Sequence, residues 1–384
     1  MAKGKPRVGV ARLRAFWRRT SDGLSAEQLW AQFRRETRST LNLYSAETGR
    51  DLRQEWTGWM GRRRVVTAVA GAMFDRLTPV RRVLLLVALV LLVLPAGVDR
   101  SAGSGLHISF NSAPAAALIL IVVLGLELAD RVGLKRDLEI ARDIQHMLLP
   151  ENPPAIPGFD IAFGTQAANT VAGDYYDVFL RPNASDARLL LIVADVAGKG
   201  IPAGLLMAAV QTAFHTLAVD PVPLNELAAR LNRAMCERSG GGRHLITAFI
   251  AELDPATRFL NWVNAGQNPP ILRRNAGALE YLREGGVPLG AFPASRYESG
   301  RTELGGGDTL LIYTDGVIEA MDESGGEYGE ERLAGEVGAL GSAGAAASLR
   351  RIFDSVNRFA AAVPQYDDIT CLVLRVASPG APSV

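Results

Sequence analysis

The chain of 384 residues is poor in the residues that most often carry metals and nucleophiles. It has two cysteines, Cys236 and Cys371, and four histidines, His107, His146, His215 and His244. Two cysteines give no disulfide framework and fit a reducing compartment. No histidine stands at zinc-ligand spacing from a cysteine, which argues against a zinc site. No Ser-His-Asp or Cys-His grouping stands out. Net charge is also nearly absent, with 41 Lys+Arg against 40 Asp+Glu, but the balance is uneven. Residues 1–82 hold 18 basic and 7 acidic residues, a surplus of +11. The whole chain is +1, so the remainder carries −10. A basic first part and an acidic body imply different surroundings for the two.

Charge is missing altogether from two stretches. VLLLVALVLLVLPAGV covers 83–98, and His107–Leu126 contains AAALILIVVLGL. Each is near the lower end of the ~17–25 residues that a membrane-spanning helix needs. The competing reading is a buried core hairpin. Leu/Val-rich stretches flanked by arginines favour the membrane. Arg62, Arg63, Arg64, Arg76, Arg81 and Arg82 precede the first stretch, and Arg131, Lys135 and Arg136 follow the second. The connecting loop offers Asp99 and Arg100. The positive-inside rule then puts both termini on the cytoplasmic side of the cell membrane, and the loop is too short for a large external sensor.

Residues 1–80 are basic and hold Trp17, Trp30, Trp56 and Trp59, four of the five tryptophans. Basic, aromatic-bearing helices lie in the headgroup layer of anionic membranes; a partner-docking domain and a nucleic-acid patch are the alternatives. The membrane surface is the preferred reading, with no nucleic acid as partner. After Leu126, residues Leu134, Leu138, Ala141, Gln145 and Leu148 recur at 4-3-4-3 spacing, widened by Ile140, Ile144 and Met147. That pattern predicts an amphipathic helical linker over 127–150, stopped by Pro150. It packs on its own domain or pairs with a second copy as a short coiled coil.

From about 150 the sequence alternates strand-like runs (187–195, 245–253, 259–266, DTLLIYTDG and 369–376) with helix-like runs (203–218, 224–238, 347–362). Short turns such as LDPATR between strands favour antiparallel pairing, with helices covering the sheets. Several runs end in acids where a buried strand has no use for one: Asp174 in VAGDYYD, Asp195 in ADVAGKG, Asp315 in YTDG, and Asp367 with Asp368 in QYDDIT. Taken singly, each is an ordinary turn residue. Gathered together they would repel one another unless a hard divalent cation sat among them. Two such ions can hold a hydroxide and clamp a phosphoryl oxygen. GKG at 198–200 does not make a P-loop, because Val193 replaces its first glycine and Gly200 its Ser/Thr. Cys371, among apolar strand residues, reads as core.

Seven motifs follow in order over the last three-fifths of the chain: IARDIQHMLLP, VAGDYYDVF, LLLIVADVAGKGIPAGLLMA, NAGQNPPIL, GGVPLGAF, LLIYTDGVIEAMDESGGEYGEERL and QYDDIT. Together they resemble the bacterial metal-dependent serine/threonine phosphatases of the SpoIIE/RsbU class, within the PPM superfamily. The resemblance implies an α+β fold in which two antiparallel β-sheets form a sandwich flanked by helices. Here a transmembrane hairpin (81–126) and the linker precede that domain, which is expected at 151–377 with a flexible tail at 378–384. It implies two Mn2+ or Mg2+ ions, with Asp174 on one, Asp195 bridging both, the Val196 carbonyl beside Asp174, and Asp315 and Asp367 on the other. Asp368 is expected to support them, or to exchange roles with Asp367. It implies hydrolysis of a phosphoserine or phosphothreonine protein, such as an anti-sigma-factor antagonist, by a metal-bound water. Departures are Ala172 before Gly173, Ala197 in the GKG turn, Gln267 where the family often has histidine, and no counterpart of the arginine that grips phosphate in eukaryotic relatives. Two other readings compete with an active phosphoprotein phosphatase: an inactive phosphatase-like module recruiting a signalling partner to the membrane, and an enzyme for small phosphate esters.

Overall fold

The computed structural model describes residues 77–93, with isolated positions before them, and 112–182, 187–238, 245–361 and 363–377. Residues 1–66, most of the approach to the first helix, residues 94–111 and residues 378–384 lie outside the described residues. The readings made for those segments therefore lie outside them too. By contact the chain divides at Arg131 into two compact units.

In the first unit, helix α1 (Pro79–Val93) and the start of helix α2 (Ala113–Leu148) are described. Arg81 pairs with Glu127 at 3.1 Å and Asp130 at 2.7 Å. At the other end, the Ser112 hydroxyl donates to the Leu91 carbonyl at 2.7 Å. The two segments thus run antiparallel. Their Leu and Val side chains are largely exposed, Val80 and Val93 among them. Of the described helices, two are long and apolar enough to cross a membrane: α2 and Ile201–Ala218. The second is a core helix of the other unit, and α1 is described over 15 residues. Helix α2 continues unbroken from the second apolar stretch through Leu148.

The second unit has four layers. One sheet runs in the order β1 (Phe159–Gln166), β11 (Ile369–Val376), β10 (Thr309–Tyr313), β6 (Ile271–Arg273), β7 (Leu279–Tyr281). The other runs β2 (Tyr175–Leu180), β3 (Leu189–Val196), β4 (Ile246–Leu253), β5 (Phe259–Ala265), β8 (Gly285–Gly286), with β9 (Gly300–Glu303) also on β5. All pairs are antiparallel except β5 with β8. Helices α3 (Ile201–Ala218) and α4 (Leu224–Arg238) cover one sheet, and α5 (Gly329–Gly338) and α6 (Ala345–Ala360) cover the other.

The side-chain period of two explains the layering. In β3, Leu189, Leu191 and Val193 point into the sandwich, where they meet Leu310, Ile312, Leu372 and Leu374 of the facing sheet. Leu190, Ile192 and Ala194 point outward under Met207 and Phe214 of α3. Both faces are buried, so the strand is apolar throughout rather than alternating. The sandwich expected from the sequence is therefore present, as are its five strand-like and three helix-like runs.

Candidate active site

Antiparallel pairing decides where the acids meet. Asp195 is next to last in β3, and the start of β2 pairs there, Tyr175 opposite Ala194. Asp174 precedes Tyr175 and so arrives beside Asp195. In the facing sheet the end of β10 pairs with the start of β11, Tyr313 opposite Cys371. Asp315 follows the one strand; Asp367 and Asp368 precede the other. Two strand ends from each sheet thus deliver five aspartates to one end of the sandwich.

Their electrostatics show a close approach that hydrogen bonds and Lys199 offset only in part. Asp174 is buried, and burial followed by the charge of Asp195 holds its carboxyl well above the ordinary range. Asp195 is pushed up to about 7 by burial and then by Asp315 and Asp367. Asp315 is raised by burial and by Asp367. Asp368 is raised chiefly by burial. Among the described residues, no three His, Cys, Asp or Glu side chains are drawn together tightly enough to grip a single ion as they stand. The acids gather at one end of the sandwich, and Asp367 is turned to Lys199 at 3.0 Å.

The two adjacent acids of QYDDIT do different things. Asp368 uses both carboxylate oxygens on backbone, accepting from the N–H of Ala168 and of Gly173 at 2.7 Å each. It therefore pins the loop that carries Asp174. Asp367 accepts the N–H of Asp368 on one oxygen and faces Lys199 with the other. Thr314 donates its hydroxyl to Asp174 at 2.9 Å and accepts the N–H of Thr370 at 3.0 Å. Close backbone approach explains two glycines. A Cβ on Gly316 would lie 2.1 Å from the Asp368 carbonyl, and one on Gly173 would lie 3.1 Å from that of Val196.

Sequence reasoning missed three further contributors. Gln267, noted only as a departure, accepts the Thr247 hydroxyl at 2.5 Å and donates to the Tyr313 carbonyl at 2.9 Å. Gln145, read as one member of a helical stripe, accepts the N–H of Ala172 at 3.0 Å and donates to its carbonyl at 2.7 Å. Its signal was visible: an amide among apolar residues on the packed face of a helix. Lys199 was weighed only as part of a P-loop. Beside Asp367, a cavity of about 380 Å3 is lined by Gly316, Met321, Val356, Ala360 and Tyr366.

Comparison with known proteins agrees with this geometry. The sequence profile described as Stage II sporulation protein E matches residues 185–377, just over half of the chain. Among curated relatives, phosphoserine phosphatase RsbU of Bacillus subtilis is 29% identical over 193 residues, 50% of this chain and 56% of its own. Phosphoserine phosphatase RsbP of the same organism is 28% identical over 192 residues, 49% of this chain and 47% of its own. The chain thus spans about half the length of these relatives. Among solved structures, the SiaA-PP2C domain of Pseudomonas aeruginosa superposes with a TM-score of 0.57 at 20% identity, over 64% of this chain and 98% of that one. The RsbU and RsbW domains of a Mycobacterium tuberculosis protein give 0.50 at 25% identity, over 60% and 64%. The chain belongs to the Stage II sporulation protein E family, the SpoIIE/RsbU class of PPM phosphatases.

Proposed function

We propose that the chain is a membrane-anchored, metal-dependent phosphoprotein phosphatase acting on phosphoserine or phosphothreonine. The observation that carries this reading is the meeting of Asp174, Asp195, Asp315 and Asp367 from four strand ends, with Asp174, Asp195 and Asp315 held above the ordinary carboxylate range. The donor set fits hard divalent cations: it is all oxygen, and its mutual repulsion is the kind a cation relieves. Asp174 and the Val196 carbonyl would hold one Mn2+ or Mg2+, Asp315 and Asp367 a second, with Asp195 between them. When bound, such ions supply an activated water and a clamp for phosphoryl oxygens.

The protein's own part is orientation. Thr314 aims Asp174, Asp368 fixes the loop behind it, and Gln267 ties the two sheets beneath the cleft. With both Asp368 oxygens on backbone N–H groups, the role of direct ligand falls to Asp367. The substrate class follows from the relatives' activity; an anti-sigma-factor antagonist is the form we favour.

Membrane anchoring rests on the exposed apolar faces of α1 and the first half of α2, and on the flanking arginines. The reading has residues 1–80 on the cytoplasmic membrane surface, a hairpin over 81–126, a linker over 127–150 and a cytoplasmic phosphatase domain over 151–377. In the linker, Leu138, Ala141, Gln145 and Leu148 turn inward. Ile140, Ile144 and Met147 stay exposed, at 50%, 51% and 76%. That second stripe suits pairing with another copy.

The test is phosphate release from a phosphoserine peptide by the full chain in detergent, with Mn2+ or with EDTA, beside Asp195→Asn and Asp367→Asn. Release that needs Mn2+ and is lost in both variants is expected. Release that persists in EDTA or in either variant would sink the site assignment.

A further inference from the structure

We propose that Lys199 is the residue that grips the phosphoryl group of the substrate, an inference that rests on the phosphatase reading. A phosphoryl dianion must approach the end of the sandwich where five aspartates gather, and residues 83–384 together carry −10. Such a gathering of negative charge repels the substrate unless cations offset it, and a fixed side-chain cation adds to what bound metal ions would supply. Among the described residues, Lys199 places an ammonium at this end of the sandwich, 3.0 Å from Asp367.

Its position is built. Lys199 follows Asp195 by four residues, between Gly198 and Gly200 at φ +118° and +73°, and Gly200 caps the start of α3. The backbone there has a conformation that side-chain-bearing residues rarely adopt, which fixes where the lysine leaves the chain. The ammonium reaches from the turn after β3 to the segment before β11. It lies 3.0 Å from Asp367, donates to the Tyr366 carbonyl at 2.6 Å and sits 3.9 Å from the centre of the Tyr366 ring. Lys199 and Asp367 are each more than a third or about a third exposed, 39% and 33%, so the pair is at the entrance and not in the core.

A cation taken up by Asp367 would compete directly with this ammonium, because both seek the same oxygens. Lys199 released from Asp367 would keep its contacts with the Tyr366 carbonyl and ring and be free to meet a phosphoryl oxygen. The ligand class is therefore a phosphoryl oxygen, of a phosphoester substrate or of the phosphate product. No P-loop is required, since a single flexible ammonium acts as a point charge.

The test measures binding of inorganic phosphate to the Mn2+-loaded full chain in detergent, and of Mn2+ alone, both by calorimetry. Lys199→Met should weaken phosphate binding by roughly tenfold or more, the scale of one charge-assisted hydrogen bond. Mn2+ uptake without phosphate should be unchanged or tighter, since an internal competitor has gone. Lys199→Arg, which keeps the charge, should restore part of the phosphate affinity. Unchanged phosphate affinity in Lys199→Met overturns the proposal, as does Mn2+ uptake that falls in step with phosphate binding. A wild-type protein that takes up Mn2+ but binds no phosphate overturns the role of Lys199 and leaves the metal reading standing. No Mn2+ uptake by the wild type overturns both.

Discussion

The side-chain amide of Gln267 donates a hydrogen bond to the backbone carbonyl of Tyr313, 2.9 Å away. Tyr313 ends β10, two residues before Asp315, and lies in the sheet opposite the one that carries Asp195. The other end of the same amide accepts the hydroxyl of Thr247, which pairs with Asp195 across β3 and β4. The Gln267 backbone is itself held by Asn264, which accepts its N–H at 2.8 Å and donates to its carbonyl at 3.0 Å. One side chain therefore bridges β10, which delivers Asp315, and β4, the neighbour of the strand that carries Asp195.

Gln267→Leu keeps most of the volume and removes both hydrogen bonds. The buried Tyr313 carbonyl and the half-buried Thr247 hydroxyl then lose partners, at a cost of about 1–3 kcal/mol. We expect a lower melting temperature and weaker Mn2+ binding. A variant that melts early but binds Mn2+ like the wild type would make Gln267 a fold residue and nothing more.

Asp195 gives a pH dependence whose sign is fixed. Its carboxyl is raised in the folded state, to about 7, above its ordinary value. Between those two values the metal-free folded state holds a proton that the unfolded chain has released, so stability falls as pH rises through the window. Asp174, also raised, adds to the same slope. Asp195→Asn should therefore stabilise the metal-free protein at neutral pH, by roughly 1–2 kcal/mol or a few degrees. In excess Mn2+ the order should reverse, with the wild type gaining and the variant not. Melting curves in EDTA and in Mn2+ across pH 4 to about 8 check both halves. A lower melting point for Asp195→Asn in EDTA would contradict the electrostatic account.

Strands such as β3 and β10 could be read from the sequence because burial on both faces leaves a run of apolar residues, and their acidic ends then stand out. β1 was not legible. It carries Gly164, where a Cβ would press within 3.2 Å of the Phe353 ring, and Asp160, which accepts the N–H of Ala345 at the start of α6. Those choices serve contacts nearly 200 residues away. Helix α5 was hidden likewise, since its glycines argue against a helix while Leu333 and Val337 hold it against the sheet. In the site, the acids announced themselves as misfits. Thr314, Gln267 and Lys199 did not, because their partners come from the opposite sheet or across the cleft, and no local pattern encodes that meeting.

Gln145 links the linker helix to the site. It is buried at 7% exposure and takes both the N–H and the carbonyl of Ala172, two residues before Asp174. Gly204 of α3 packs against the same place, its Cβ position 2.4 Å from Val171. Gln145→Leu leaves both backbone groups of Ala172 without that partner, and the 168–173 loop is then held chiefly by Asp368. We expect faster hydrogen exchange over 168–173 and a several-fold loss of Mn2+ affinity, with helix content unchanged. Exchange confined to wild-type rates would mean that the amide clamp does not set the order of this loop.

The exposed stripe of Ile140, Ile144 and Met147 predicts self-association. These side chains lie one turn apart on the face of α2 turned away from the Gln145 contact, so burying them against a second copy leaves the clamp intact. Full burial of such a side chain contributes about 1.5–3 kcal/mol. Ile144→Asp would place an unpaired charge in that seam. The full chain in detergent should then shift from dimer to monomer by light scattering. Gln145→Leu should stay dimeric, because its contact lies on the other face. A wild-type chain that is already monomeric at all concentrations would remove the seam. A dimer untouched by Ile144→Asp would move the contact elsewhere on the chain.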